Sequence, residues 1–178
     1  MKTLKFLFIL VSFIGLVGCD KKDSEEITNL TNLDVEKYIE LLKSDQFVSY
    51  KIPAFTSNDI PSLLKYRNDN QIVTKFPANG ISSYAMIEPK YKLGVLVLWT
   101  VESIRISSLK NSMNGSFPSQ NPFIALRDNP SEWVLDYNNQ AYSIISQAYF
   151  NWWENNKNKD FDQFKGIDPL INTNYIWH

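Results

Sequence analysis

The sequence predicts a mainly α protein: a single irregular helical domain with long ordered loops, set behind an N-terminal leader. Three observations carry that expectation. Apolar residues recur at helical spacing in two separate stretches, 35–42 and 141–152. The run from Leu93 to Ile104 is apolar nearly all round and too long for an ordinary strand. The segments between are rich in Pro, Asn and Gly yet keep large apolar side chains, as ordered loops do.

The leader comes first. Lys2 and Lys5 precede an uncharged run from Phe6 to Gly18. That run suits the core of a signal peptide and falls short of the roughly 20 residues a membrane span requires. It ends in Leu16-Val17-Gly18-Cys19, which resembles the lipobox of bacterial lipoproteins. The resemblance implies a lipoprotein signal peptide, residues 1–18, cleaved before Cys19. It further implies a diacylglyceryl thioether on Cys19 and an acylated new amino terminus. A small residue before the cysteine lets a peptidase approach the backbone, and only a thiol makes the thioether. Asp20–Glu26, "DKKDSEE", has no apolar side chain and completes a flexible tether, residues 19–26. Its acidic residues also resemble the surface-export signals of some Bacteroidetes lipoproteins, with a plain spacer as the alternative. The domain is then 27–178.

Within it, Thr31 is expected to cap a first helix, with Asp34 three residues on. Val35, Tyr38, Ile39 and Leu42 form its buried face. Thr56, Ser57 or Asp59 caps a second, shorter helix, and Pro61 is acceptable only in its first turn. Ile60, Leu63 and Leu64 supply its apolar side. Arg67–Tyr84 has no helical period and reads as an ordered loop. In Lys92–Leu109, alternation over Leu93, Val95, Val97, Trp99 and Val101 would suit a strand, but length favours a helix at the centre of the core. Ser116–Trp133 holds several prolines and reads as loop. Asn138 caps the last long helix, whose stripe is Ala141, Ile144, Ile145, Ala148, Tyr149 and Trp152, ending at Asn155-Asn156. A short turn over Phe161–Lys165, capped by Asp160, stops at Gly166. The apolar tail "DPLINTNYIWH" is expected to dock on the body.

Composition excludes several kinds of chemistry. The formal net charge is −1, and loss of Lys2 and Lys5 makes the mature chain more acidic. That balance opposes nucleic-acid binding, which depends on neutralising phosphates. Cys19 is the sole cysteine, so the domain has no disulfide and no thiolate nucleophile. His178 is the sole histidine and the last residue, which removes Ser-His-Asp chemistry and histidine-bound zinc. No stretch has calcium-loop spacing. No cofactor and no metal is therefore expected. Ser62–Lys65 and Ser107–Lys110 both match S-x-x-K, and Ser112–Asn114 matches S-x-N, but no K-T-G accompanies them. Glu102, in the apolar helix beside Trp99, would serve a carboxylate-pair hydrolase. Arg105, one turn on, makes a structural salt bridge the stronger reading.

Adjacent residues on a helix point about 100° apart, so Trp152 belongs to the core stripe and Trp153 is expected to turn outward. Trp153 with Trp133 is the candidate binding surface, because exposed aromatic faces stack on sugar rings; aromatics filling irregular space in a small domain are the stronger reading.

"NDIPSLLKYR", "FPANGISSY", "LGVLVLWTVESIR", "FPSQNP", "YFNWWE" and "DPLINTNYIWH", in that order behind a lipobox, resemble a family of uncharacterised Bacteroidetes lipoproteins known only as a domain of unknown function. The likeness runs from about Leu33 to His178. It implies a mainly helical domain and an envelope location, and it transfers no catalytic residue. The resulting expectation is a non-enzymatic module held to the outer membrane through lipid on Cys19, binding a protein or glycan partner. An inhibitor or immunity-like lipoprotein is the alternative, and a small carboxylate hydrolase the third.

Overall fold

The computed structural model of the chain describes residues 29–30, 32–77, 90–110, 116–131, 133–134 and 139–178, with 133–134 described by backbone alone. The leader, Cys19, the tether, Thr31, Asn138, most of "FPANGISSY" and Ser112–Asn114 lie outside the described residues.

Helix α1, Val35–Lys43, begins at Asp34, whose Oδ1 accepts from the Lys37 amide at 2.7 Å. Asp34 is thus the N-cap, the place the sequence reading had assigned to Thr31. The face foreseen for it, Val35, Tyr38, Ile39 and Leu42, is buried. The chain leaves α1 through Asp45, at φ 53. Aspartate tolerates this left-handed geometry better than most residues. Its carboxylate accepts from Thr74 N at 3.0 Å, Thr74 Oγ1 at 2.8 Å and Lys75 N at 3.3 Å. Those bonds hold its pKa below the usual carboxylate value.

A 3₁₀ turn, Ser57–Asp59, leads into α2, Ile60–Leu64, with Pro61 in the first turn as its missing N–H requires. The Asp59 carboxylate accepts from the Thr56 amide at 2.7 Å and the Thr56 hydroxyl at 3.0 Å. Of the stretch after α2 that reads as loop in the sequence, the described part, residues 67–77, contributes a strand. β1, Ile72–Val73, pairs antiparallel with β2, Tyr91–Lys92, with Val73 opposite Tyr91.

From β2 the chain passes directly into α3, Leu93–Leu109, so the ambiguous apolar run is a helix. It is buried on all sides, with even Thr100, Glu102, Ser103 and Arg105 enclosed. It packs against both α2 and α4, Asn139–Glu154. The Tyr38 and Thr100 hydroxyls meet at 3.2 Å, tying α1 to α3. Gly94 is required by close approach: a Cβ there would collide with the backbone carbonyl of Arg67.

The fold is mixed α/β, which corrects the mainly α expectation. A second antiparallel sheet runs in the order β4-β3-β5, from Trp133–Val134, Ile124–Leu126 and Tyr175–Trp177. Ile124 faces Val134 on one side and Trp177 on the other. β3 lies in the proline-rich stretch read as loop, and β5 is the docked tail. Strands of two or three residues are too short to show alternation. The sequence also put Ile144 on the buried stripe of α4, but it is 39 % exposed. The remaining stripe residues are buried or half-buried. After α4 a 3₁₀ turn, Phe161–Gln163, starts at Asp160, and Phe164 behind it is buried. Among the described residues no helix is long and apolar enough to cross a membrane.

Candidate functional site

Glu102 and Arg105 form a buried pair one helical turn apart. Arg105 Nε donates to Glu102 Oε2 at 2.9 Å and Nη2 to Oε1 at 2.6 Å. The Tyr149 hydroxyl of α4 donates to Oε2 at 2.8 Å, and Trp177 Nε1 of β5 donates to the Tyr149 oxygen at 2.8 Å. Arg105 Nη1 donates to the Lys165 carbonyl at 3.1 Å. Both oxygens of Glu102 are therefore engaged. Burial raises the Tyr149 pKa well above its ordinary value, and the neighbouring Glu102 charge adds to the rise. Burial alone would lower the Arg105 pKa, but the bonds and charge of Glu102 outweigh it and raise it. This network joins α3, α4, the segment after α4 and β5. It is a structural ion pair, as its i, i+3 spacing foretold.

Of the two tryptophans expected to form a binding surface, Trp153 is described with its side chain and Trp133 by backbone alone. Trp153 is half-buried, with its ring 6.3 Å from Trp152 and 6.0 Å from Phe164, inside an aromatic cluster completed by Phe161. Its outward turn is covered by the segment after α4. Trp133 sits in β4 opposite Ala125, and its side chain lies outside the described residues.

The concavity that residue chemistry singles out lies between α4 and Ile167–Thr173, with a volume of about 460 Å³. Gln147 and Asn151 of α4 and Asn155 just past its end line it, and Asn172 and Thr173 face them from the following segment. Gln147 Nε2 donates to Asn151 Oδ1 at 2.7 Å, fixing the two amides as a unit that presents one carbonyl and one amino group. Asn156 also lines the groove but serves the fold, donating to the Trp152 carbonyl at 2.7 Å and accepting from Lys159 at 2.8 Å. Three isoleucines supply apolar surface: Ile144, Ile167, at 47 % exposed, and Ile171, at 56 %. Trp152 contributes a wall, and its buried indole N–H has no partner. Asp168 is the sole ionisable lining residue among those described. It accepts from Leu170 N at 2.8 Å and lies 3.7 Å from Arg127.

These groove residues were missed in the sequence, although a signal was present. Gln147, Asn151 and Asn155 recur every fourth residue, a neutral polar stripe on a helix whose other face is apolar. Among the described residues no cluster of three or more His, Cys, Asp or Glu is placed to hold a metal ion.

Fold and groove together define a small mixed α/β domain that wraps one buried helix and carries an amide-lined cleft with one carboxylate, Asp168, among its described lining residues. The chain belongs to the family described as Domain of unknown function (DUF4943), which matches residues 29–178. No curated protein and no solved structure matches it.

Proposed function

We propose that this chain is an envelope lipoprotein of the Bacteroidetes type, held to the membrane by acyl chains on Cys19, whose domain binds a neutral glycan in the cleft beside α4. The observation that carries the reading is the hydrogen-bonded Gln147–Asn151 pair set between exposed isoleucines in a groove with a single ionisable residue. A fixed amide pair offers a donor and an acceptor side by side, which matches neighbouring sugar hydroxyls. Isoleucine covers the C–H face of a sugar ring. A cleft of a few hundred cubic ångströms lined by apolar surface and a few placed polar groups is the usual form of a small-molecule site. An anionic ligand would meet no cation among the described lining residues there.

The reading involves no bond breaking. Among the described lining residues Asp168 is the sole carboxylate, whereas glycoside hydrolysis uses two carboxyl groups. The neutral polar lining also favours a glycan over the toxin or hydrolase target of an inhibitor.

The test is calorimetric titration of the full chain in detergent with a panel of neutral oligosaccharides. Saturable binding to at least one is expected. Asn151→Ala should weaken it by about tenfold, the loss of one or two hydrogen bonds. A panel without saturation, or an unchanged Asn151→Ala affinity, would overturn the reading.

A further inference from the structure

A second cavity, of about 530 Å³, lies between the turn that follows α2 and the first turns of α3 and α4. Its lining includes Arg67, Asn68, Asp69 and Asn70 from the turn, Lys92 ahead of α3, and Ser143 of α4. We propose that it binds a phosphate group carried on a small polar molecule. This inference is independent of the glycan reading.

Charge carries the argument. The single carboxylate in the wall, Asp69, is neutralised by Lys43 from outside the cavity at 2.7 Å. It also accepts from the Gln71 amide at 2.9 Å. Arg67 and Lys92 line the same cavity, and neither has a carboxylate partner among the described residues. Two like charges facing one concavity repel, and an anion between them removes that repulsion.

Both cations are also held in place. The Arg67 guanidinium lies 4.1 Å from the centre of the Phe150 ring and donates from Nη1 to the Leu64 carbonyl at 2.9 Å. Its Nε–H is buried and has no hydrogen-bond partner among the described residues. Lys92 Nζ donates to Asn139 Oδ1 at 2.5 Å and sits 5.1 Å over the Tyr142 ring. Those neutral contacts orient the ammonium and leave two of its three donors. A fixed guanidinium and a fixed ammonium are cations of the kind that recognise phosphate oxygens.

The helix ends contribute less than their position suggests. The first two amides of α3 already donate to backbone: Leu93 N to the Gln71 carbonyl and Gly94 N to the Asp69 carbonyl, each at 2.9 Å. Gly94 keeps that turn pressed against α3, since any side chain would push Arg67 away. The cavity is larger than a bare phosphate, and Asn68, Asn70 and Ser143 offer hydrogen bonds to an attached hydroxylated group.

Calorimetric titration of the full chain with inorganic phosphate, against chloride at matched ionic strength, tests the site. Saturable phosphate binding at one site is expected. Lys92→Gln should weaken it by about tenfold, the worth of one charge-assisted hydrogen bond. Asn70→Asp adds a negative charge at an exposed position that the fold does not need, and should weaken binding in the same direction. Glycerol phosphate stands for a lipid headgroup and a hexose phosphate for a soluble sugar; whichever binds more tightly identifies the source, and either upholds the site. Equal responses to phosphate and chloride would overturn the proposal. So would phosphate binding that neither Lys92→Gln nor Asn70→Asp alters.

Discussion

At the scale of single residues, the decisive feature is that Glu102 has no free oxygen. Arg105 grips both atoms and Tyr149 donates to one of them, so a group that reads as a candidate acid in the sequence is a structural anion. The pair is enclosed, with side chains 6 % and 9 % exposed. Removing one member of such a pair leaves a buried charge without compensation and costs about 3–5 kcal/mol. Replacing both members by apolar residues of similar volume is often neutral. Glu102→Met should therefore lower the denaturation midpoint severely, and Glu102→Met with Arg105→Met should recover much of the loss. Denaturant titration of the three proteins checks this. A double variant no more stable than the single would mean that Arg105 acts through its bond to Lys165 and not through Glu102. The pairing itself was legible, because three residues along a helix make one turn. Tyr149 and Trp177 were not, since each reaches the network from a distant part of the chain.

At the scale of elements, legibility followed length. The helices could be read because each repeats its apolar face over at least one full turn, and Pro61 marks where α2 starts. The strands could not, because two or three residues contain no period and their pairing depends on partners far away. Hence β3 read as loop. The tail was foreseen to dock from its apolar content, without its form as strand β5. The neutral stripe Gln147, Asn151, Asn155 shows the opposite failing: the period was present, but attention to aromatic and charged residues passed over plain amides. β5 carries a prediction of its own. It pairs with β3 through three residues, its Trp177 closes the Glu102 network, and His178 N donates to the Phe123 carbonyl at 3.0 Å. Tyr175, Ile176 and Trp177 are half-buried, so each contributes less than the roughly 1.5–3 kcal/mol of a fully buried side chain. At about 2–4 °C per kcal/mol for a chain of this size, deleting residues 175–178 should lower the melting midpoint by many degrees. Thermal melts followed by circular dichroism measure it. An unchanged midpoint would mean that β3 and β4 hold without their third strand.

At the scale of the whole molecule, the proposed envelope location raises the question of how the domain would be held at a membrane. Its most apolar helix, α3, is enclosed by the rest of the fold and is unavailable for insertion. Among the described residues no other helix is long and apolar enough to span. Attachment, on the proposed reading, rests on the segment before the domain. The formal charge of the whole chain is −1, so attraction to an anionic lipid surface cannot substitute for an anchor. Acyl chains can. Each buried methylene contributes about 0.8 kcal/mol, one chain holds a protein marginally, and two or more hold it stably. A diacylglyceryl thioether on Cys19 with an acylated amino terminus would provide that number, and the charged tether Asp20–Glu26 would keep the groove clear of the bilayer. Cys19→Ala should therefore abolish acyl attachment and move the protein out of the stably anchored membrane fraction, or leave it as an unprocessed precursor. Mass spectrometry of the amino-terminal peptide, together with membrane fractionation, reads both outcomes. A wild-type peptide that begins elsewhere than Cys19, or carries no acyl mass, would remove the anchor from this account. The groove and the phosphate cavity would then have to be understood in a protein free to leave the membrane.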